Sequence, residues 1–130
     1  MVLAMVVFSN SRLGPSAELL VSDDVAIAML KSTAATARPV AEARWERELV
    51  DWLERRAAPA PGVTPRLDVN DIAWTPDHFE TQRRFLVDAI VRAALGSEHN
   101  AAFDRWRRLI EAHPRDSVQV GRRWLWEVTA

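Results

Sequence analysis

The stretch from Trp74 to Phe85, WTPDHFETQRRF, concentrates side chains of types that enzymes and binding proteins use. A histidine near the start of a helix can act as a general acid or base, or can bind an anion together with the backbone N–H groups there. On this basis Thr75, Asp77 and His78 are candidate ligand-binding residues, and His78 is the candidate acid–base group of an enzyme.

The same stretch also has the composition of a helix start. Thr75 is a good N-cap, Pro76 suits the first helical position, and Asp77 interacts favourably with the helix dipole. The apolar residues that follow at helical spacing predict a helix to about residue 95. They are Phe79, Leu86, Ile90 and Ala93, and Gly96 ends the helix. Only His78 and Gln82 have no part in this pattern, so the sequence favours the structural interpretation of the stretch.

The second candidate site is the segment GRRWLW near the C-terminus. Tryptophan and arginine are enriched at the energetically important positions of protein interfaces. We therefore take Trp124 and Trp126 as candidate interface residues. Arg122 and Arg123 are candidate anion ligands that complete the site at His78, and the alternative is a charged, solvated bend in a strand.

Composition excludes several other functions. The chain has no cysteine, and its three histidines include no pair at helical ligand spacing, so we expect no metal site and no cofactor. The 17 basic and 18 acidic residues form no basic stripe, which argues against nucleic-acid binding. The apolar run over residues 2–8 is too short for a membrane span or a signal peptide. We expect a cytoplasmic protein that does not bind a membrane.

Two further helices are predicted from apolar stripes. The first covers about residues 39–57, with Trp45, Leu49, Trp52 and Leu53 on one face. The second covers about residues 98–112. Its apolar stripe consists of Phe103, Trp106, Leu109 and Ile110, and Pro114 prevents its continuation.

The sequence signals for the strands agree less well with one another than those for the helices. Residues 2–8 have the composition of a buried strand, and residues 117–128 alternate as a half-buried strand does. Val69 is the expected inward residue of a short extended segment. For residues 18–37 two structures compete: a hairpin turning at SDD, or a helix capped by Ser22. The alternation of Val25, Ile27 and Met29 favours the hairpin.

The sequence as a whole predicts a single α+β domain over residues 1–130. Three amphipathic helices pack on a small, mostly antiparallel sheet formed by the N-terminal strands and the C-terminal strand. The six tryptophans favour a non-catalytic protein-interaction or accessory domain, with a protein partner or a homodimer. The alternatives are a small-molecule or anion-binding domain around His78, and an enzyme that uses His78 as general acid or base.

Overall fold

The fold is α+β, with four helices and a small mixed sheet. It was obtained as a computed structural model, which describes residues 5–57 and 66–114. The strands are β1 (Met5–Ser9), β2 (Glu18–Ser22) and β3 (Arg66–Asp68). The helices are α1 (Asp23–Ala37), α2 (Arg44–Arg56), α3 (Phe79–Ala94) and α4 (Asn100–Glu111), and short 3-10 turns cover Ser11–Leu13, Arg38–Val40 and Val69–Asp71.

The sheet has the strand order β2-β1-β3. β1 pairs antiparallel with β2, with Val7 opposite Leu20, and it pairs parallel with β3, with Phe8 opposite Leu67. A parallel pair needs a long crossover connection, which here passes through α1 and α2. The sheet is therefore mixed, where a mostly antiparallel one was expected. The predicted C-terminal strand lies outside the described residues.

The prediction of a hairpin over residues 18–37 is wrong in its second half. β2 does form a hairpin, but its partner is β1, and a helix begins at Asp23 directly after it. The buried residues of α1 recur at helical spacing and are mostly small: Ala26, Met29, Leu30, Thr33, Ala34 and Ala37. This extra helix is why residues 5–57 and 66–114 form four helices instead of three. Ser22 and two acids in the first turn were the correct signal.

The other helices agree with the predicted stripes. Leu49 and Leu53 of α2, Leu86 and Ile90 of α3, and Phe103 of α4 are buried, and Gly96 ends α3 with a φ of +77°. Such a backbone angle favours glycine because it has no Cβ. Val69 is buried, as predicted.

One contiguous apolar core joins all of these elements. α1 packs against α2 and α3, and α3 packs against α4. On β2, Leu19 and Val21 point into the core whereas Leu20 remains 60% exposed. None of the helices in the described ranges is long and apolar enough to cross a bilayer.

Candidate binding cleft

The predicted N-cap at Thr75 is wrong. α3 begins at Phe79, after a turn over residues 76–78 in which the His78 N–H donates to the Thr75 carbonyl at 3.2 Å. The Thr75 side chain caps no helix, because its Oγ1 is buried and has no hydrogen-bond partner. The sequence signal was ambiguous because a proline after threonine suits a turn as well as a first helical position.

Gln82, one of the two residues left over by the sequence pattern, has a structural role. Its side chain is buried; Oε1 accepts from the Thr75 N–H at 3.0 Å and Nε2 donates to the Ala73 carbonyl at 3.0 Å. One amide therefore satisfies two backbone groups of the segment before α3, which fixes that segment against the helix.

His78, the other residue left over, is exposed and lies against α2. Its ring stacks on the indole of Trp45, with ring centroids 5.9 Å apart and an interplanar angle of 17°. Asp77 is exposed beside it. Of the candidates, His78 and Thr75 thus lie near Trp45, and Asp77 is the neighbour of His78 in the chain. The remaining candidates, Arg122, Arg123, Trp124 and Trp126, lie outside the described residues.

A cleft of about 490 Å³ lies between α2 and the segment before α3. We call it the tryptophan cleft; it is lined by Trp45, Glu48, Leu49, Asp51, Trp52, Arg55, Ile72, Ala73, Thr75 and Gln82. The two tryptophans come from the predicted stripe of α2, but both remain only half-buried. Their spacing of seven residues places them two turns apart on one face.

The tryptophans are held in place by neighbouring rings and by an arginine. Trp45 meets Phe85 edge-on, with ring centroids 5.7 Å apart. The guanidinium of Arg56 lies over the ring of Trp52, 5.5 Å from its centroid, in a cation–π contact. The indoles thus form fixed walls of the cleft.

The carboxylates of α2 all have partners. Glu46 accepts from the backbone N–H groups of Glu42 and Ala43 at the start of the helix. The other three form ion pairs: Glu48 with Arg44 at 2.9 Å, and Asp51 and Glu54 with Arg38 at 3.0 and 2.7 Å. Arg55 and Arg56 form no ion pair with any residue in the ranges 5–57 and 66–114. Arg55 is therefore the charged lining residue of the cleft that has no ion-pair partner among these residues.

A second group of polar residues is buried where α4 ends. His113 stacks on Trp74, with ring centroids 5.4 Å apart, and its Nδ1 lies 3.2 Å from Oδ1 of Asn10. Asn10 Nδ2 donates to the Leu109 carbonyl at 2.8 Å. Arg83 donates to the carbonyls of Glu111 and His113, each at 3.2 Å, and so completes the C-terminal turn of α4.

The pKa values of this buried group depart from the ordinary ones. Burial lowers the pKa of His113 to about 4; the nearby Asp68 carboxylate opposes this shift, and Arg12 and Arg83 reinforce it. For Asp68, burial alone raises the pKa, but hydrogen bonds from the backbone N–H groups of Asn70 and Ser11 lower it below the ordinary value. The imidazole is therefore neutral at pH 7 while the carboxylate is charged.

Sequence reasoning missed this group because its members are far apart in the chain. The only local signals were polar residues at the ends of strands: Asn10 follows β1, and Asp68 is the last residue of β3. Since β1 and β3 are parallel, their carboxyl ends meet at the same edge of the sheet. His113 has no such signal, and its position depends on how α4 packs.

Among the described residues, no group of three or more histidine, aspartate or glutamate side chains is arranged to hold a metal ion. Fold and cleft together define a small α+β protein with an aromatic-lined surface cleft. The chain matches no protein-family model, no curated protein and no solved structure.

Proposed function

We propose that this protein is a non-catalytic protein-interaction domain that binds its partner through the tryptophan cleft. The observation that carries this proposal is the incomplete burial of Trp45 and Trp52 along a concave surface. Tryptophans that anchor a partner typically stand in such pockets, where a second surface completes their removal from water. A cleft of about 490 Å³ is large enough for one or two partner side chains.

The polar groups near the cleft are engaged in hydrogen bonds and ion pairs within the protein, which supports binding over catalysis. Gln82 is engaged by the backbone of the segment before α3, and Glu48 and Asp51 are engaged by arginines. Groups that are held in this way stabilise the walls of the cleft. The ligand that we propose for this cleft is a protein partner. A second copy of the chain is one option. A cytoplasmic location remains part of the proposal.

The second candidate function is small-molecule or anion binding at the segment before α3. It is favoured by Thr75, a lining residue of the cleft whose hydroxyl is buried and has no hydrogen-bond partner. Rotation of this side chain toward the cleft would expose the hydroxyl to a ligand, and a hydrogen bond there would remove the cost of the unsatisfied group. Catalysis by His78 is the third candidate and rests on that residue alone.

Selection from a random peptide library displayed on phage tests the proposal. The full chain is immobilised, and enriched clones are retested against Trp45→Leu and Trp52→Leu, which keep an apolar side chain and so preserve packing within the protein. Leu95→Ala, which truncates a residue that is 76% exposed elsewhere, is the matched control. Enriched clones should bind the wild type and the control, and should lose most of their binding to both tryptophan variants.

Two outcomes decide the question. The proposal would be contradicted if no enriched clone required Trp45 or Trp52 for binding. Sedimentation velocity of the same variants tests whether the partner is a second copy of the chain. If Trp52→Leu lowers the mass of the sedimenting particle and Leu95→Ala does not, a second copy of the chain occupies the cleft.

A further inference from the structure

We propose that the tryptophan cleft binds an arginine side chain of the partner protein, with its guanidinium against the indoles and its charge on the carboxylates of α2. This inference rests on the proposed function and names the chemistry of the partner. It is carried by the order of aromatic and acidic residues along the cleft face of α2, together with the guanidinium groups that the same residues bind within the chain.

The cleft face of α2 places a carboxylate between the two tryptophans. Trp45, Glu48 and Trp52 follow one another at spacings of three and four residues, so their side chains lie on one face of the helix, one turn apart. Asp51 is a second carboxylate in the lining, against which the lining has the single cation Arg55. A positive group that lies against either indole is therefore within about one helical turn of a carboxylate.

One of the indoles already holds a guanidinium group of the chain itself. Arg56 lies over the ring of Trp52, with 5.5 Å between the guanidinium carbon and the ring centroid. Such contacts favour arginine, because its planar group stacks on the ring while its N–H groups remain free to donate to carboxylates. His78 stacks on Trp45. Both tryptophans also line the cleft and remain half-buried, so further indole surface is offered to a ligand there.

The carboxylates in the lining can accept from a further guanidinium group. Glu48 accepts from Arg44 through Oε1 at 2.9 Å. Asp51 accepts from Arg38 through Oδ1 at 3.0 Å, and Arg38 is shared with Glu54. The second oxygen of Glu48 and of Asp51 accepts no hydrogen bond from the part of the chain that the structure describes. A partner arginine can therefore bind these oxygens without displacing the arginines of the chain.

The apolar walls favour an arginine within a protein segment over an isolated cation. Leu49 and Ile72 line the cleft together with the indoles. An arginine places its aliphatic stem on such surface and keeps its charged end at the carboxylates. The cleft, at about 490 Å³, also has room for an apolar neighbour of that arginine in the partner chain.

An NMR titration with defined peptides tests the inference. The isotope-labelled full chain is titrated with acetyl-Gly-Leu-Arg-Leu-Gly-amide, and binding is followed through the indole N–H signals of the tryptophans. The comparison peptide has citrulline in place of arginine, which keeps the shape of the side chain and removes its charge. We expect the arginine peptide to bind about threefold to tenfold more tightly, as one exposed ion pair and one cation–π contact imply.

Two charge variants locate the guanidinium in the cleft. Glu48→Gln combined with Asp51→Asn should abolish the preference for the arginine peptide, and about 0.5 M salt should reduce it. The matched control is Glu98→Gln combined with Glu111→Gln. It removes the same charge at exposed positions outside the cleft and should keep the preference.

The remaining variants test the other residues of the lining. Arg55→Gln should increase the preference for the arginine peptide, because it removes the positive charge that opposes a guanidinium in the cleft. Trp45→Leu and Trp52→Leu assign the two indole signals, since each variant lacks one of them. Trp52→Leu should also weaken the binding of both peptides.

The outcomes distinguish this inference from the function on which it rests. Equal binding of the two peptides, lost on Trp52→Leu, would overturn the choice of arginine and leave the interaction function standing. A preference that survives in the variant without Glu48 and Asp51 would also overturn it. Acetyl-arginine-methylamide that binds as tightly as the peptide would replace the protein partner by a small guanidinium compound. If neither peptide shifts the indole signals of Trp45 and Trp52, the inference fails, whereas the phage selection decides the proposed function.

Discussion

Nδ1 of His113 lies 3.2 Å from Oδ1 of Asn10, a contact that joins residues 103 positions apart in the chain. Because Asn10 Nδ2 donates to Leu109 of α4, the oxygen of the amide faces the imidazole. The neutral histidine therefore carries its proton on Nδ1 and donates it to Asn10. The contact ties the segment directly after α4 to the residue directly after β1.

The first prediction is that stability falls as the pH is lowered from about 6.5 to about 4. Burial lowers the pKa of His113 to about 4 in the folded protein, so between these pH values the unfolded chain binds a proton that the folded chain does not. The loss should reach about 3 kcal/mol at the acid end of the window. Urea unfolding at several pH values measures it.

The variant His113→Gln provides the comparison for this pH dependence. It removes the titrating group, so its free energy of unfolding should change much less between pH 6.5 and 4 than that of the wild type. A wild-type slope that persists in His113→Gln would show that another group causes it. The effect of Asp68 is distinguished by its pH range. Because folding lowers the pKa of Asp68, the stability that this carboxylate contributes is lost only below about pH 4.

The second prediction concerns Asn10. Asn10→Ala removes the donor to the Leu109 carbonyl and the acceptor of the Arg12 N–H and of His113, so three contacts of one buried amide are lost. We expect a loss of about 2 kcal/mol in the free energy of unfolding. The matched control is Asn100→Ala at an exposed position, which should change stability by less than about 0.5 kcal/mol. Similar losses in both variants would contradict the role given to Asn10.

The third prediction concerns the segment that forms one wall of the tryptophan cleft. Gln82→Leu keeps a buried side chain of similar size but removes the hydrogen bonds to Thr75 and Ala73, so the Thr75 amide should exchange with solvent faster. Amide exchange followed by NMR measures this. Gln82→Glu keeps the acceptor for the Thr75 N–H, and protection of that amide should survive in part. Unchanged exchange in Gln82→Leu would show that the segment is held by other contacts.

The fourth prediction tests the helical structure of residues 23–37. Ala34 is buried at 2% exposure, whereas its neighbour Ala35 is exposed. Ala34→Leu should destabilise the protein by about 1–3 kcal/mol through overpacking, and Ala35→Leu should have an effect of less than about 0.5 kcal/mol. Thermal melts measure both. Equal effects of the two substitutions would contradict the orientation of α1.

The predicted elements differ in how far the sequence determined them. α2, α3 and α4 were found because each has a wide apolar stripe at helical spacing, which no strand can bury on one face. Residues 23–37 were misassigned because the inward positions of α1 are mostly small residues, which give little hydrophobic contrast. The alternation at Val25 and Ile27 then outweighed a correct helix-start signal at Ser22.

The sequence by itself determined the fold class, the positions of three helices and the tryptophan stripe of α2, because these depend on the local period of apolar residues. Only the tertiary structure decided that Trp45 and Trp52 remain half-buried, since this depends on where the segment before α3 crosses α2. It also decided that Asn10, Asp68 and His113 meet. Burial and hydrogen bonding between distant residues follow from packing, which local patterns do not encode.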